Sequence, residues 1–428
     1  MSLSATHPTQ FLSYLQSCGT HVFGREEAPP LVATISVSDD IFWLRLFLTY
    51  DVGFAESFLL GEIEIDDIGA VHKLWLANSA KLEGLSTSIH MLYSMIGKLA
   101  NYFLGQSLTR SKLNAVAGYD ESNSLFKAFL SEEMMYSCAL WADAEGVTSA
   151  DLVDPVNPSE TDLEAAQGIK IRHVLRKARI RKGDHILEIG SGWCGLAIEA
   201  ARMYDCTVDT VTLSAAQKAL GEQRIRAAGL QSLINVHLVD YRKLPQSFEG
   251  AFDSVISIEM IEHVGPRHYK QFFQIINWAL KKEGGTVVVS SSTMPEARYQ
   301  EYQPPDFCRL YIWPNGTLPS ATAIITAAQT GSAGQLCLDS VENHGRHYAR
   351  TLRCWKQRFE ANVQEGLIDD ILCERPDLAE GGKLEPFLRK WLYLFSYAEA
   401  GFSQGYVTCH MVVFAKGHQL GSVTLATM

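Results

Sequence analysis

From residue 159 to residue 292 the chain alternates two hydrophobic textures. Short apolar runs at 186–189, 207–213, 235–238, 255–258 and 286–289 have the length and β-branched content of buried strands. The stretches 196–204, 217–228 and 269–281 between them have helix-like apolar spacing, and 161–178 predicts a helix leading into the first run. This rhythm predicts an α/β fold built on a doubly wound, mostly parallel, Rossmann-like sheet.

Upstream, 41–50 is apolar and aromatic, interrupted only by Arg45, and Asp51-Val52-Gly53 follows. The pattern predicts a buried strand and its turn, opening a smaller N-terminal α/β unit. Ile89, Leu92, Ile96, Leu99 and Phe103 recur at spacings of three and four, on one helix face. That face packs a core or meets lipid; with Lys81 and Lys98 the basic residues nearby, core packing is the simpler reading. After Ser292 the rhythm gives way to a Pro- and aromatic-rich stretch, expected as a lid over 293–345. Helices at 346–365 and 387–400 and a late strand at 410–415 follow. The expected division is an N-terminal domain over 1–113 and a larger domain over 114–428.

With 47% hydrophobic and 20% charged residues, the composition is that of a folded globular protein. A formal charge of −11 argues against a nucleic-acid partner, which needs a basic footprint. Nine cysteines without a CxxC pair favour neither a disulfide framework nor a zinc site, so no metal is expected. Residues 1–20 lack the basic and apolar regions of a signal peptide, and no run approaches a membrane span. The expectation is a cytoplasmic protein, compatible with peripheral contact with a membrane and with a homodimer.

Gly190-Ser191-Gly192-Trp193-Cys194-Gly195 lies between a strand and a helix, where Gly190 and Gly192 permit a tight turn and close ligand approach. The spacing suits a dinucleotide, but that site wants an acid about twenty residues on, at the end of the second strand. Here the strand ends Thr212-Leu213-Ser214, and Asp209 comes three residues too early. Glu188 places a carboxylate beside the loop, suited to a cationic amino-acid group or to the loop's amides. Asp240 and Tyr241 end the third strand where an adenine ring would lie; for Asp240, helix cap and ligand are equal readings.

Several ordered segments resemble the cyclopropane-fatty-acid synthase family, from about Asp51 to Lys416. They are Gly53-Phe54-Ala55-Glu56-Ser57, Met134-Met135-Tyr136-Ser137-Cys138, Leu187-Glu188-Ile189-Gly190-Ser191-Gly192-Trp193 and Thr212-Leu213-Ser214-Ala215-Ala216-Gln217. Further along come Ile258-Glu259-Met260-Ile261-Glu262-His263-Val264-Gly265, the run from Tyr311 to Ser320, and Tyr397-Ala398-Glu399-Ala400-Gly401-Phe402. The resemblance implies a methyltransferase using S-adenosylmethionine, contacted by Tyr136, Ser137, Gly190, Thr212, Gln217 and Tyr241, with Thr212 and Gln217 in place of the ribose-binding acid. It further implies attack of an alkene on the sulfonium methyl and a carbocation that loses a proton to bound bicarbonate. The product is then a cyclopropane or a C-methylated chain.

The positions matching the bicarbonate cage are Cys138, Glu262 and Tyr348, with His263 beside them. Singly, each suits a bland role: Cys138 as a small buried residue, Tyr348 as packing, Glu262 as a cap. Two departures stand out: Gly118-Tyr119-Asp120 where the family has His-Tyr-Asp, and Ser290 in Val289-Ser290-Ser291-Ser292 where it has His or Gln. The implied acceptor is an apolar lipid. The runner-up is a small-molecule, alkaloid-like acceptor methylated on N or C through Glu262-His263, and a lipid-binding protein that has lost the chemistry is the third reading. Tyr302, Phe307, Tyr311 and Trp313 offer ring faces to a cation or belong to the core.

Overall fold

The computed structural model describes residues 32–82, 95, 122–141, 162–314, 316–364 and 366–417. Apart from Met95, the amphipathic stretch around 86–105 lies outside them, as do Gly118-Tyr119-Asp120, the boundary near 113 and residues 1–20.

The chain opens with β1 (Ile35–Val37), α1 (Ile41–Thr49), α2 (Asp51–Leu59), β2 (Ile63–Ile65) and α3 (Ile68–Leu82), with β1 and β2 paired antiparallel. The run at 41–50, expected as a strand, is therefore a helix. Two tertiary contacts override its strand-like composition. Arg45 pairs with Glu56 and Glu62 at 3.2 and 3.0 Å, pulling α1 onto α2. At the crossing, a Cβ on Gly53 would sit 2.2 Å from the Arg45 carbonyl oxygen, so only glycine allows this approach. Phe42 is buried, while Ile41, Leu44, Phe47 and Leu48 are exposed.

After α4 (Asn123–Phe129) and α5 (Asp162–Lys177), the alternating region runs β3 (His185–Ile189), α6 (Gly195–Tyr204), β4 (Thr207–Thr212), α7 (Ala215–Ala227), β5 (Ile234–Leu238), β6 (Ser254–Ile258), α8 (Tyr269–Ala279) and β7 (Thr286–Thr293). Then come α9 (Ala321–Gly331), β8 (Leu336–Asn343), α10 (Gly345–Gln364), α11 (Leu367–Glu374), α12 (Leu384–Ser403) and β9 (Thr408–Lys416). The sheet order is β5-β4-β3-β6-β7-β9-β8; pairs among β3 to β7 are parallel, and β9 runs antiparallel to both neighbours. Strands such as Thr-Val-Val-Val in β7 are buried on both faces, which explains their continuous apolar character. The order reverses beside β3, so a crevice opens at the carboxyl ends of β3 and β6.

The stretch expected as a lid over 293–345 divides. Residues 321–343 form α9, which buries Ile324, Ala327 and Ala328, and β8, which pairs with β9 from Leu336↔Lys416 to Asn343↔His410. As an edge strand with mostly exposed or half-exposed side chains, β8 lacks the apolar run that marks its neighbours. The irregular covering segment is 294–320.

Above the crevice, α4, α10 and α12 are joined by an aromatic cluster. Phe129 meets Trp391 at 5.6 Å and Phe395 at 5.0 Å; Phe126 meets Trp193 of the glycine loop at 4.8 Å. The helical layer and the loop thus share one core. Replacing the fully buried Phe129 by Ala is expected to lower unfolding free energy by about 3–5 kcal/mol. Urea denaturation followed by tryptophan fluorescence measures the loss.

Candidate active site

The loop after β3 is shaped by backbone requirements. Gly190 takes φ +102° and Gly192 φ +47°, and a Cβ on Gly190 would lie 3.1 Å from the Met260 side chain. Glu188, at the end of β3, accepts from the Thr210 hydroxyl at 2.6 Å, and that hydroxyl lies 2.7 Å from Ser191 Oγ. Burial raises the Glu188 pKa to about 8, against the pull of Thr210 and Lys170.

At the end of β4 the Thr212 hydroxyl donates to Gln217 Oε1 at 2.8 Å and accepts from the Ser214 amide at 3.1 Å. Ser214 caps α7 by accepting from the Gln217 amide at 3.1 Å. Asp209 is turned away, held by His185 and His237 at 2.6 Å each. Asp240 caps a short turn by accepting from the Arg242 amide at 2.9 Å and pairs with the Arg242 guanidinium at 2.6 Å. Burial raises the Tyr241 hydroxyl well above its ordinary value. Tyr136, Ser137, Glu188, Gly190, Gly192, Thr212, Ser214, Gln217, Asp240 and Tyr241 all line one cavity of about 160 Å³ at the sheet's carboxyl edge. The residues expected to contact a cofactor are thereby brought together, with Ser214 among them.

A second cavity, of about 610 Å³, lies between the N-terminal helices and the sheet edge. Phe54, Val71 and Trp75 wall it on one side, and Trp313, Trp355 and Phe402 on the other. The two cavities meet at Tyr136, Glu259 and His263, which line both. Of the aromatics predicted over the covering segment, Trp313 lines this cavity. Phe307 packs on Tyr393 at 4.5 Å, the Tyr311 hydroxyl donates to Glu56, and Tyr302 lies under the Arg267 guanidinium.

Around the junction, Cys138 and Tyr348 converge on a carboxylate, and that carboxylate is Glu259. Its Oε1 accepts from the Cys138 amide at 2.7 Å and its Oε2 from the Tyr348 hydroxyl at 2.5 Å. The Cys138 thiol points elsewhere, towards the carbonyls of Ala139 and His344 at 3.4 and 3.7 Å. Glu262 accepts from the Ser292 amide at 2.6 Å through Oε1, while its Oε2 is buried with no hydrogen-bond partner among the described residues. Ser290 lies in β7 with its hydroxyl 3.8 Å from Cys409 Sγ. Burial lowers the His263 pKa to about 4, so its imidazole is neutral.

Three further residues, Glu259, Lys170 and Gln167, belong to the site. Glu259 was legible as the first of two acids three apart, following a strand at the carboxyl edge. Lys170 and Gln167 lie on the buried face of α5, and a lysine among Leu163, Ala166, Ile171 and Val174 was the signal. Lys170 Nζ donates to Ser137 Oγ at 2.7 Å, and Gln167 Nε2 donates to the Ser137 carbonyl at 2.9 Å. Burial lowers the Lys170 pKa to about 8, opposed by Glu259 and Glu188. Glu262 moves the other way, up to about 8, chiefly by burial and then by the Glu259 charge.

That shift has a stability consequence. The unfolded chain releases the Glu262 proton near pH 4.5, whereas the folded protein keeps it to about pH 8. Over that window only the native state binds the proton, so its contribution to stability falls as pH rises. Glu262→Gln removes the titration. Its stability relative to the parent should improve from about pH 5 to about pH 9, by on the order of a few kcal/mol, in chemical unfolding at a series of pH values.

Comparisons with known proteins identify the family and the fold. Residues 106–412 match the family model described as mycolic acid cyclopropane synthetase. The chain is 36% identical over 357 residues to the tuberculostearic acid methyltransferase UfaA1 of Mycobacterium tuberculosis, covering 83% of this chain and 77% of that one. It is 28% identical over 391 residues to the cyclopropane-fatty-acyl-phospholipid synthase of Escherichia coli K12, covering 91% and 89%. In fold it is similar to the cyclopropane synthase MmaA2 of Mycobacterium tuberculosis, with TM-score 0.57, 23% identity and coverage of 71% and 98%. It is also similar to a coclaurine N-methyltransferase, with TM-score 0.66, 19% identity and coverage of 85% and 99%. The chain belongs to the mycolic acid cyclopropane synthetase family and is an S-adenosylmethionine-dependent methyltransferase.

Proposed function

We propose that this enzyme methylates an alkene carbon of an apolar acyl chain, generating a carbocation whose loss of a proton yields a cyclopropane or a C-methylated product. The observation that carries the reading is the meeting of the two cavities at Tyr136, Glu259 and His263. One cavity has a nucleotide-type loop and polar strand ends; the other is walled largely by apolar and aromatic side chains.

S-adenosylmethionine, when bound, supplies an electrophilic methyl group on a sulfonium. The small cavity suits it: the glycine loop leaves room for a ligand against the backbone, and Thr212 and Gln217 form a hydrogen-bonded pair suited to ribose hydroxyls. Tyr136, Ser137, Glu188, Gly190, Gly192, Ser214, Asp240 and Tyr241 would hold the remainder. The larger cavity would orient the acyl chain and exclude water from a cationic intermediate, with the rings of Tyr136, Trp313, Trp355 and Phe402 facing it. The exposed apolar side chains of α1 support collection of such an acceptor from a lipid surface. Bicarbonate, implied at Cys138, Glu262 and Tyr348 by the family resemblance, does not suit the donors as arranged. The Cys138 amide and the Tyr348 hydroxyl are both spent on Glu259.

Incubation with methyl-deuterated S-adenosylmethionine and vesicles of cis-unsaturated phospholipid should label the fatty acids, as read by mass spectrometry. Label appearing instead on an added small amine would overturn the reading. Gln217→Ala should weaken binding of S-adenosylhomocysteine about tenfold in calorimetry, the cost of one hydrogen-bonding partner.

A further inference from the structure

We infer that Glu259 is the proton acceptor of the reaction, a carboxylate built into the chain at the place where the family resemblance implies a bound bicarbonate. The inference rests on the alkene-methylation reading above.

Geometry carries the assignment. Both Glu259 oxygens are held by two of the residues at which the resemblance implies a free anion, through the Cys138 amide at 2.7 Å and the Tyr348 hydroxyl at 2.5 Å. A second anion there would find those donors taken and would face a like charge at short range. Glu259 lines both cavities, so it reaches the point where cofactor and acceptor meet. Its backbone adopts φ +50°, a left-handed conformation that favours glycine, and is tied by the Glu259 amide to the Ser290 carbonyl at 2.8 Å. A glutamate kept in that conformation points to a function for its side chain.

The surrounding charges fit a base. Burial raises the Glu259 pKa, opposed by the hydrogen bonds from Tyr348 and the Cys138 amide and by the charge of Lys170, which lies beneath Ser137. Glu262, whose Oε2 is buried without a hydrogen-bond partner among the described residues, holds its proton more strongly chiefly through burial and then through the neighbouring Glu259. Because both Glu259 oxygens accept hydrogen bonds, from the Cys138 amide and the Tyr348 hydroxyl, the geometry favours the charge on Glu259 and the proton on Glu262.

The step balances without a further reactant. The alkene π pair forms the new bond to the methyl carbon, the carbon–sulfur pair leaves with sulfur as S-adenosylhomocysteine, and the other alkene carbon becomes cationic. Glu259 then takes one proton. If it comes from the transferred methyl, the released C–H pair closes a three-membered ring. If it comes from a carbon next to the cation, that pair forms a double bond. The proton ends on the Glu259 carboxyl in either case.

The test uses the full chain, S-adenosylmethionine and cis-unsaturated phospholipid vesicles in carbon-dioxide-free buffer. Parent turnover should change less than twofold on adding millimolar bicarbonate. Glu259→Gly relaxes the backbone and empties the donor pair; it should lose at least a hundredfold in rate and regain at least tenfold with bicarbonate or formate. Its affinity for S-adenosylhomocysteine should stay within about threefold. Independently of turnover, carbon-13 bicarbonate should show saturable NMR line broadening with Glu259→Gly and none with the parent. Glu259→Gln, which keeps the side-chain volume, should be inactive without rescue, and it serves if the glycine variant fails to fold. Bicarbonate-dependent parent turnover, parent binding of labelled bicarbonate, or a Glu259 variant active without any added anion would overturn the proposal. Failure of the parent to label any lipid would instead overturn the alkene-methylation reading, while the binding arm still decides the role of Glu259 in excluding the anion.

Discussion

Everything at this site depends on how the irregular segment 131–141 is held across the carboxyl edge of the sheet. It has no ladder of its own, so its buried peptide groups need partners from elsewhere. The Cys138 amide goes to Glu259, the Ala139 amide to Thr351 Oγ1 at 3.2 Å, the Leu140 amide to the Ala166 carbonyl at 3.3 Å, and the Trp141 amide to His347 Nδ1 at 3.2 Å. The Glu132 and Glu133 carbonyls accept from Arg224 on α7, and the Ser137 carbonyl from Gln167 on α5. Close approach is allowed by Gly195 at the start of α6, where a Cβ would lie 2.2 Å from the Glu133 carbonyl oxygen. Strand, loop and helices thus fix Tyr136, Ser137 and Cys138 relative to the glycine loop, which isolated preferences of the segment would not do.

The same docking concentrates charge in a place with little water. Glu188, Glu259 and Glu262 share it with Lys170, and burial raises all three carboxyls while lowering the lysine. Opposite shifts of this kind express one cost, the loss of hydration by charged groups, and Lys170 offsets part of it for Glu259 and Glu188. The core would be cheaper without these groups. Their presence where a polar and an apolar cavity meet fits a site whose protons must be held and released under control.

The aromatic cluster packs the helices and the loop around this polar junction. Phe126 and Phe129 of α4 bridge Trp193 of the loop to Trp391 and Phe395 of α12, and Tyr136 lies tilted against Trp355 of α10 at 5.3 Å. Rings of this size bury a large area with few rotatable bonds. One packed layer therefore stabilises the helices and orients the loop that faces the small cavity.

Where a residue's role follows from its own neighbours in the chain, the sequence sufficed. The strands β3 to β7 were legible because both faces are buried and their apolar runs are continuous, and the glycine loop because its φ values require glycine at Gly190 and Gly192. The residues lining the small cavity at the sheet's carboxyl edge were legible too, since it is built from successive strand ends. Roles set by distant partners were decided by the tertiary structure alone. The run at 41–49 became a helix because Arg45 meets Glu56 and Glu62 and Gly53 admits the crossing. Likewise β8 pairs with β9 although its exposed edge gives it no apolar signature. The motif around Glu259 and Glu262 showed two acids three apart, but which of them meets Cys138 and Tyr348 depends on contacts 121 and 89 residues away along the chain. Spacing in sequence carries no information about such contacts, because hydrogen bonding is set by distance and direction in the folded molecule.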